Sequence, residues 1–98
     1  MANAVADIDQ IPETPELRRE WIKFQLNIRG LSFAKLAREH GASRQAVSMA
    51  LVRSKPRWEH VIAEALGLSP ELLWPERYDP ATLMPRHFLE RVEARASA

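Results

Sequence analysis

The sequence predicts an all-α domain of five short helices, on three observations. Apolar residues recur at three- and four-residue spacing and nowhere alternate at period two over the length of a strand. Helix-starting residues (Thr14-Pro15-Glu16, Ser32, Ser43 and Ser69-Pro70-Glu71) are interleaved with helix-ending glycines at positions 30, 41 and 67. The chain has 98 residues, 46% hydrophobic and 28% charged, which suits a single small core.

The first helix is expected from Pro15 to Arg29: Thr14 can cap it, Pro15 tolerates the first turn, and Glu16 favours the positive end of the dipole. Gly30 can take the left-handed conformation that ends it. Ser32 then caps a second helix through His40, which Gly41 stops, and Ser43 caps a third from Arg44 to Arg53. Pro56 disfavours helix at the residue before it, so Ser54 to Arg57 reads as a loop. Trp58, Val61, Ile62, Ala65 and Leu66 recur at helical spacing and define a fourth helix, Trp58 to Leu66, closed by Gly67. A fifth, Pro70 to Trp74, is broken by Pro75. This gives a domain over residues 14–78. Residues 1–13 form an acidic leader without periodicity, expected to be mobile. Residues 79–98 form a tail in which Phe88, Leu89 and Val92 could share one face of a short terminal helix.

Composition narrows the function. With no cysteine, neither a disulfide framework nor a thiolate metal site is available. The histidines, His40, His60 and His87, are not spaced for a shared metal, and three glycines form no phosphate cradle. No motif orders a catalytic triad, and so short a chain has few apolar residues to spare for an enclosed active site. We therefore expect no enzyme, metal, cofactor or small-molecule ligand. No apolar run approaches the ~18 residues of a membrane span, and no signal pattern opens the chain, so a cytoplasmic protein is expected, at the nucleoid if it binds DNA.

Charge is segregated. Residues 1–16 carry a net −4, residues 17–57 a net +8, and residues 58–98 a net −3. The basic middle reads either as a polyanion-binding surface or as a solvated helical face. A second signal lies inside it. The expected second and third helices, joined by a tight turn, meet the positional demands of a helix-turn-helix: Ala37 is small where the helices cross, Gly41 supplies the turn, and Leu36, Val47 and Ala50 face inward. His40 departs from this pattern, because an apolar side chain usually precedes the turn.

If Val47, Ala50 and Leu51 point inward, then Ser43, Arg44, Gln45, Ser48 and Met49 lie on or near the outward face, and these are the candidate base contacts. Arg can bond guanine O6 and N7 bidentately and Gln can bond adenine N6 and N7, while Ser48 or Met49 suits base edges or a thymine methyl. A phosphate contact for Arg44 and a boundary core position for Met49 stay open. Ser32, Lys35, Arg38, Arg53, Lys55 and Arg57 are the candidate backbone contacts, through flexible cations and the free N–H groups after Ser32. Double-stranded DNA is the expected partner, with a homodimer on DNA as one stoichiometry.

The windows Leu31-Ser32-Phe33-Ala34-Lys35-Leu36-Ala37-Arg38-Glu39-His40-Gly41, Val61-Ile62-Ala63-Glu64-Ala65-Leu66 and Pro70-Glu71-Leu72-Leu73-Trp74-Pro75-Glu76-Arg77-Tyr78 resemble the Ner family. These are small DNA-binding regulators of transposable phages, with bacterial Nlp relatives. Trp-Pro-x-Arg-Tyr is the most specific element. The resemblance covers residues 17–78 and implies a compact lambda-repressor-like domain that binds operator DNA and regulates transcription, as a repressor. Lys55-Pro56-Arg57-Trp58 stands where the family usually has Trp-Pro-Lys-Gly, and Leu17 replaces an early Trp.

A helical protein-interaction adaptor anchored by Trp21, Trp58 and Trp74 is the competing class, although it leaves the +8 segment unexplained. The first helix also carries two apolar stripes, Leu17, Trp21, Phe24 and Ile28 on one side and Ile22 with Leu26 on the other. Either the domain contacts this helix from both sides, or part of the first stripe is exposed and serves self-association.

Overall fold

The computed structural model describes residues 8–86 and contains five α-helices: α1 (Pro15–Ile28), α2 (Phe33–Glu39), α3 (Arg44–Ser48), α4 (Pro56–Ala65) and α5 (Pro70–Leu73). Short 3-10 turns span Ile8–Gln10, Met49–Leu51 and Pro75–Arg77. Among the described residues there is no strand, only an antiparallel bridge between Tyr78 and Pro85. The all-α reading with five helices therefore holds.

One core joins every helix. Ile22 and Leu26 of α1 meet Phe33, Leu36 and Ala37 of α2, Val47 of α3, Trp58, Ile62 and Ala63 of α4, and Leu73 of α5, with Ala50, Leu51, Leu66 and Trp74 between them. Fully burying side chains such as Ile22, Ile62 and Leu73 contributes about 1.5–3 kcal/mol each. The turns follow from backbone chemistry. Gly41 (φ +65°) lets the Ala42 N–H fold back to the Ala37 carbonyl at 2.8 Å, and Gly30 (φ +72°) does the same service after α1, where Leu31 N–H reaches Leu26 O at 2.8 Å. The space beside both glycines is open, so backbone φ rather than crowding selects glycine there.

The caps divide into two kinds. Ser32 and Ser43 accept from the N–H groups of Lys35 and Ala46, each at 3.1 Å. Thr14 and Ser69 occupy cap positions ahead of a proline but make no side-chain capping bond.

Several boundaries differ from the sequence reading. The third helix does not run to Arg53: α3 ends at Ser48 and tightens into the 3-10 turn Met49–Leu51. The Ala50 carbonyl of that turn accepts from the Arg77 guanidinium. The fourth helix starts at Pro56, not Trp58, because Pro at the first helical position has no N–H to leave unsatisfied. Lys55 is consequently its cap and Arg57 lies in its first turn, so the expected loop is shorter.

The leader and tail are also better tied than the sequence suggests. The Arg18 guanidinium, 5% exposed, donates to the carbonyls of Pro12 (3.1 Å) and Glu13 (2.7 Å) and to the Glu76 carboxylate (2.7 Å), while Ile11 packs against the core. Residues 11–13 therefore contact the domain; residues 1–7 lie outside the described residues. Beyond Tyr78 the Asp79 carboxylate accepts from Ala81 (2.8 Å) and Thr82 (3.1 Å), and the chain returns to the bridge at Pro85. His87 and the expected terminal helix with Phe88, Leu89 and Val92 lie outside the described residues.

Candidate DNA interface

The α2–turn–α3 unit presents α3 by its N-terminal tip. Ser43 caps this helix, and Arg44 and Gln45 in its first turn are exposed, because Val47, Ala50 and Leu51 turn into the core. Ser48 and Met49, expected on the outward face, are half-buried at its edge. The Ser48 hydroxyl donates to the Gln45 carbonyl at 3.1 Å, the local bonding that serine adopts inside helices.

Exposed cations stand along α2, in the stretch after α3 and at the start of α4. Lys35, Arg38, Arg53, Lys55 and Arg57 are all exposed, and Ser32 is half-buried at the start of α2. The Lys35 ammonium donates to the Gly30 carbonyl at 3.0 Å, and the Arg57 guanidinium lies 4.4 Å over the Trp58 ring, a cation–π contact that holds it beside α4. Lys23 and Asn27 were not among the sequence candidates. They line, with Leu26, Ser32, Phe33 and Arg44, a cleft of about 160 Å³ between α1 and the tip of α3. Their four-residue spacing puts them on one face of α1, but only the tertiary fold brings that face to Arg44.

Behind the tip lies a buried ionic network that the sequence did not disclose. Glu59 of α4 is 0% exposed. Its carboxylate accepts from the Tyr78 hydroxyl (2.6 Å), the Arg77 guanidinium (3.0 Å) and the Lys55 backbone N–H (2.7 Å). Arg77 simultaneously donates to the Ala50 carbonyl and stacks 5.1 Å over Trp74. Arg77 of the Trp-Pro-x-Arg-Tyr segment thus holds Ala50 directly, while Lys55 is held by Glu59, which Arg77 and Tyr78 bond in turn. Glu76, the variable residue of that segment, holds Arg18.

Burial, the hydrogen bond to Glu59 and the Glu59 charge together raise the Tyr78 pKa well above its ordinary value. The unfolded chain ionises its tyrosine first, near pH 10, so above that pH it binds fewer protons than the folded chain and stability falls with rising pH. Below pH 10 this contribution is complete. Tyr78→Phe is expected to remove up to about 1.4 kcal/mol per pH unit of the alkaline decline, read as the difference between urea midpoints of the two proteins from pH 9 upward; identical alkaline slopes would refute the assignment.

No helix among the described residues is long and apolar enough to cross a membrane. None of their histidines and carboxylates cluster in a metal-binding group.

The profile of the winged helix-turn-helix DNA-binding family matches residues 16–88. Among the described residues the only extended pairing that could correspond to a wing is the Tyr78–Pro85 bridge. The chain is 39% identical over 69 residues to sugar fermentation stimulation protein B of Escherichia coli strain K12, covering 69% of this chain and 72% of that protein. It is 37% identical over 65 residues to the negative regulator of transcription of Escherichia phage D108, covering 62% of this chain and 89% of that protein. The phage Mu protein of the same description is 37% identical over 67 residues, covering 64% and 89%. By fold, by the exposed tip of α3 and by these similarities, the chain belongs to the winged helix-turn-helix DNA-binding family and, within it, with the Ner-like regulators of the Mu-type phages.

Proposed function

We propose that this protein is an operator-binding transcriptional repressor that reads the major groove of double-stranded DNA with the first turn of α3. The observation that carries the reading is the placement of Arg44 and Gln45: exposed, at the tip of a helix whose other face is core, beside a cleft lined by Lys23, Asn27 and Ser32. Arg44 and Gln45 supply bidentate base contacts, Ser43 stands at the tip, and Ser48 and Met49 reach only those groups that approach the helix edge. The reader is a shorter element than residues 44–53, one helical turn and a half followed by a 3-10 turn.

Lys35, Arg38, Arg53, Lys55 and Arg57, with the Ser32 end of α2, neutralise phosphates on either side of the groove, and Lys23 and Asn27 extend that contact along α1. The protein works in the cytoplasm at the nucleoid, and two copies occupy paired half-sites of one operator. Repression is what the phage relatives are named for. Trp58 and Trp74, which an adaptor would use as anchors, are buried at 7% and 2% exposure, so the adaptor reading loses two of its three contacts.

With about five phosphates neutralised, the slope of log K against log salt on random-sequence duplex is expected near −4.5. Fluorescence anisotropy titrations at a series of salt concentrations measure it. A slope near zero would sink the proposal.

A further inference from the structure

Of the two apolar stripes on α1, the core takes one. Ile22 and Leu26 are 0% and 1% exposed, whereas Leu17, Phe24 and Ile28 remain 62%, 58% and 59% exposed; Trp21, half-buried between them, rests partly against the core. These four residues stand four, three and four apart, the spacing that brings side chains onto the seam between two packed helices. A solvent-facing helix would place polar residues there.

We propose that this seam is the interface with a second copy of the chain, the two α1 helices packing antiparallel about a two-fold axis. In that register Leu17 faces Ile28 of the second copy and Trp21 faces its Phe24, so each larger ring meets a ring and each aliphatic meets an aliphatic. Charge selects the direction. Along the flank of the seam Glu16 and Glu20 occupy the N-terminal half, with Lys23 and Asn27 in the C-terminal half, all exposed. Antiparallel packing puts the two flanks on the same side of the pair, brings Glu20, which pairs with Lys23 of its own chain at 3.3 Å, toward Asn27 of the other copy, and opposes the helix dipoles favourably; parallel packing about a two-fold axis would put the flanks on opposite sides and align the dipoles. Lys23 lies about a third of a turn around α1 from the seam, so its side of the cleft shared with Arg44 stays open when the seam is covered.

One helix face falls short of the about 800 Å² per partner of a standard stable interface. The free dimer is therefore weak and becomes effective when two copies lie on adjacent half-sites, where each sees the other at millimolar effective concentration. This role on DNA rests on the operator-binding reading; the interface itself does not.

Sedimentation equilibrium and an NMR dilution series on the full chain, from micromolar to millimolar, test the interface without DNA. The mass is expected to rise toward the dimer, with the Leu17, Trp21, Phe24 and Ile28 resonances moving together. Phe24→Asp and Ile28→Lys, both at exposed positions, should stay monomeric with unchanged circular dichroism. On duplexes selected from a random pool, both variants should lose at least about tenfold in cooperativity while binding a single half-site as the wild type does. A monomeric wild type at millimolar concentration with unaltered cooperativity in both variants would overturn the interface. So would a lowered melting temperature in both variants of a monomeric wild type, which would mean that the chain covers the stripe itself. Self-association without DNA binding would sink the operator reading and leave the interface standing; DNA binding by a strictly monomeric protein would do the reverse.

Discussion

Glu59→Ala is expected to cost about 3–5 kcal/mol of folding stability, the loss typical of removing one partner from a buried ion pair. Glu59 is fully buried, and its removal strands three donors at once: the Arg77 guanidinium, the Tyr78 hydroxyl and the Lys55 N–H. Arg77 keeps its bond to the Ala50 carbonyl, but its charge loses the carboxylate that balances it in a site only 15% exposed. Glu59→Gln should cost less, since the amide oxygen still accepts from Tyr78 or Arg77 while the charge is lost. Urea denaturation at neutral pH measures both. Replacing the whole group with apolar residues, as Glu59→Leu with Arg77→Met and Tyr78→Phe, should recover much of the stability, because no stranded charge remains. A Glu59→Ala protein within about 1 kcal/mol of wild type would show that the network is not a stabilising unit.

Arg44→Ala and Gln45→Ala are each expected to lose about 1–3 kcal/mol on a selected operator duplex while changing little on random DNA. Lys55→Ala should weaken both alike and lower the salt slope by about one. The structure makes this comparison clean: Lys55 holds Glu59 through its backbone N–H, which alanine retains, and all three side chains are exposed. The deciding quantity is the ratio of specific to non-specific affinity at fixed salt. If Lys55→Ala collapses that ratio and the two α3 variants leave it intact, α3 is not the reader.

The helices were legible because their signals are local. Ser32, Gly41 and Ser43 act within a few residues of themselves, and they mark α2, the turn and the start of α3 correctly. What was misread depends on partners distant in sequence. Pro56 reads equally as a break or as a first helical residue, and only the packed α4 decides between them. The carbonyl of Ala50, in the 3-10 turn that follows α3, is taken by Arg77, 27 residues beyond it. Nothing local tells Glu59 from the exposed Glu64 one turn and a half along the same helix, or shows that Lys23 and Asn27 will stand beside Arg44. The two stripes of α1 were visible in the spacing, but spacing could not say which of them the core would take.

The hold of Arg77 on Ala50 also has a consequence for synthesis. A ribosome delivers the cationic segment first and the residues that brace it last, so a chain ending before residue 77 carries every proposed DNA-contacting side chain but no clasp for Ala50 or for the Glu59 carboxylate. Closing that 27-residue span has an entropic cost that is met only when the final turn docks. If α3 reads the operator as proposed, sequence discrimination is expected only from chains that extend past Tyr78, and shorter products should keep the charge while losing the brace.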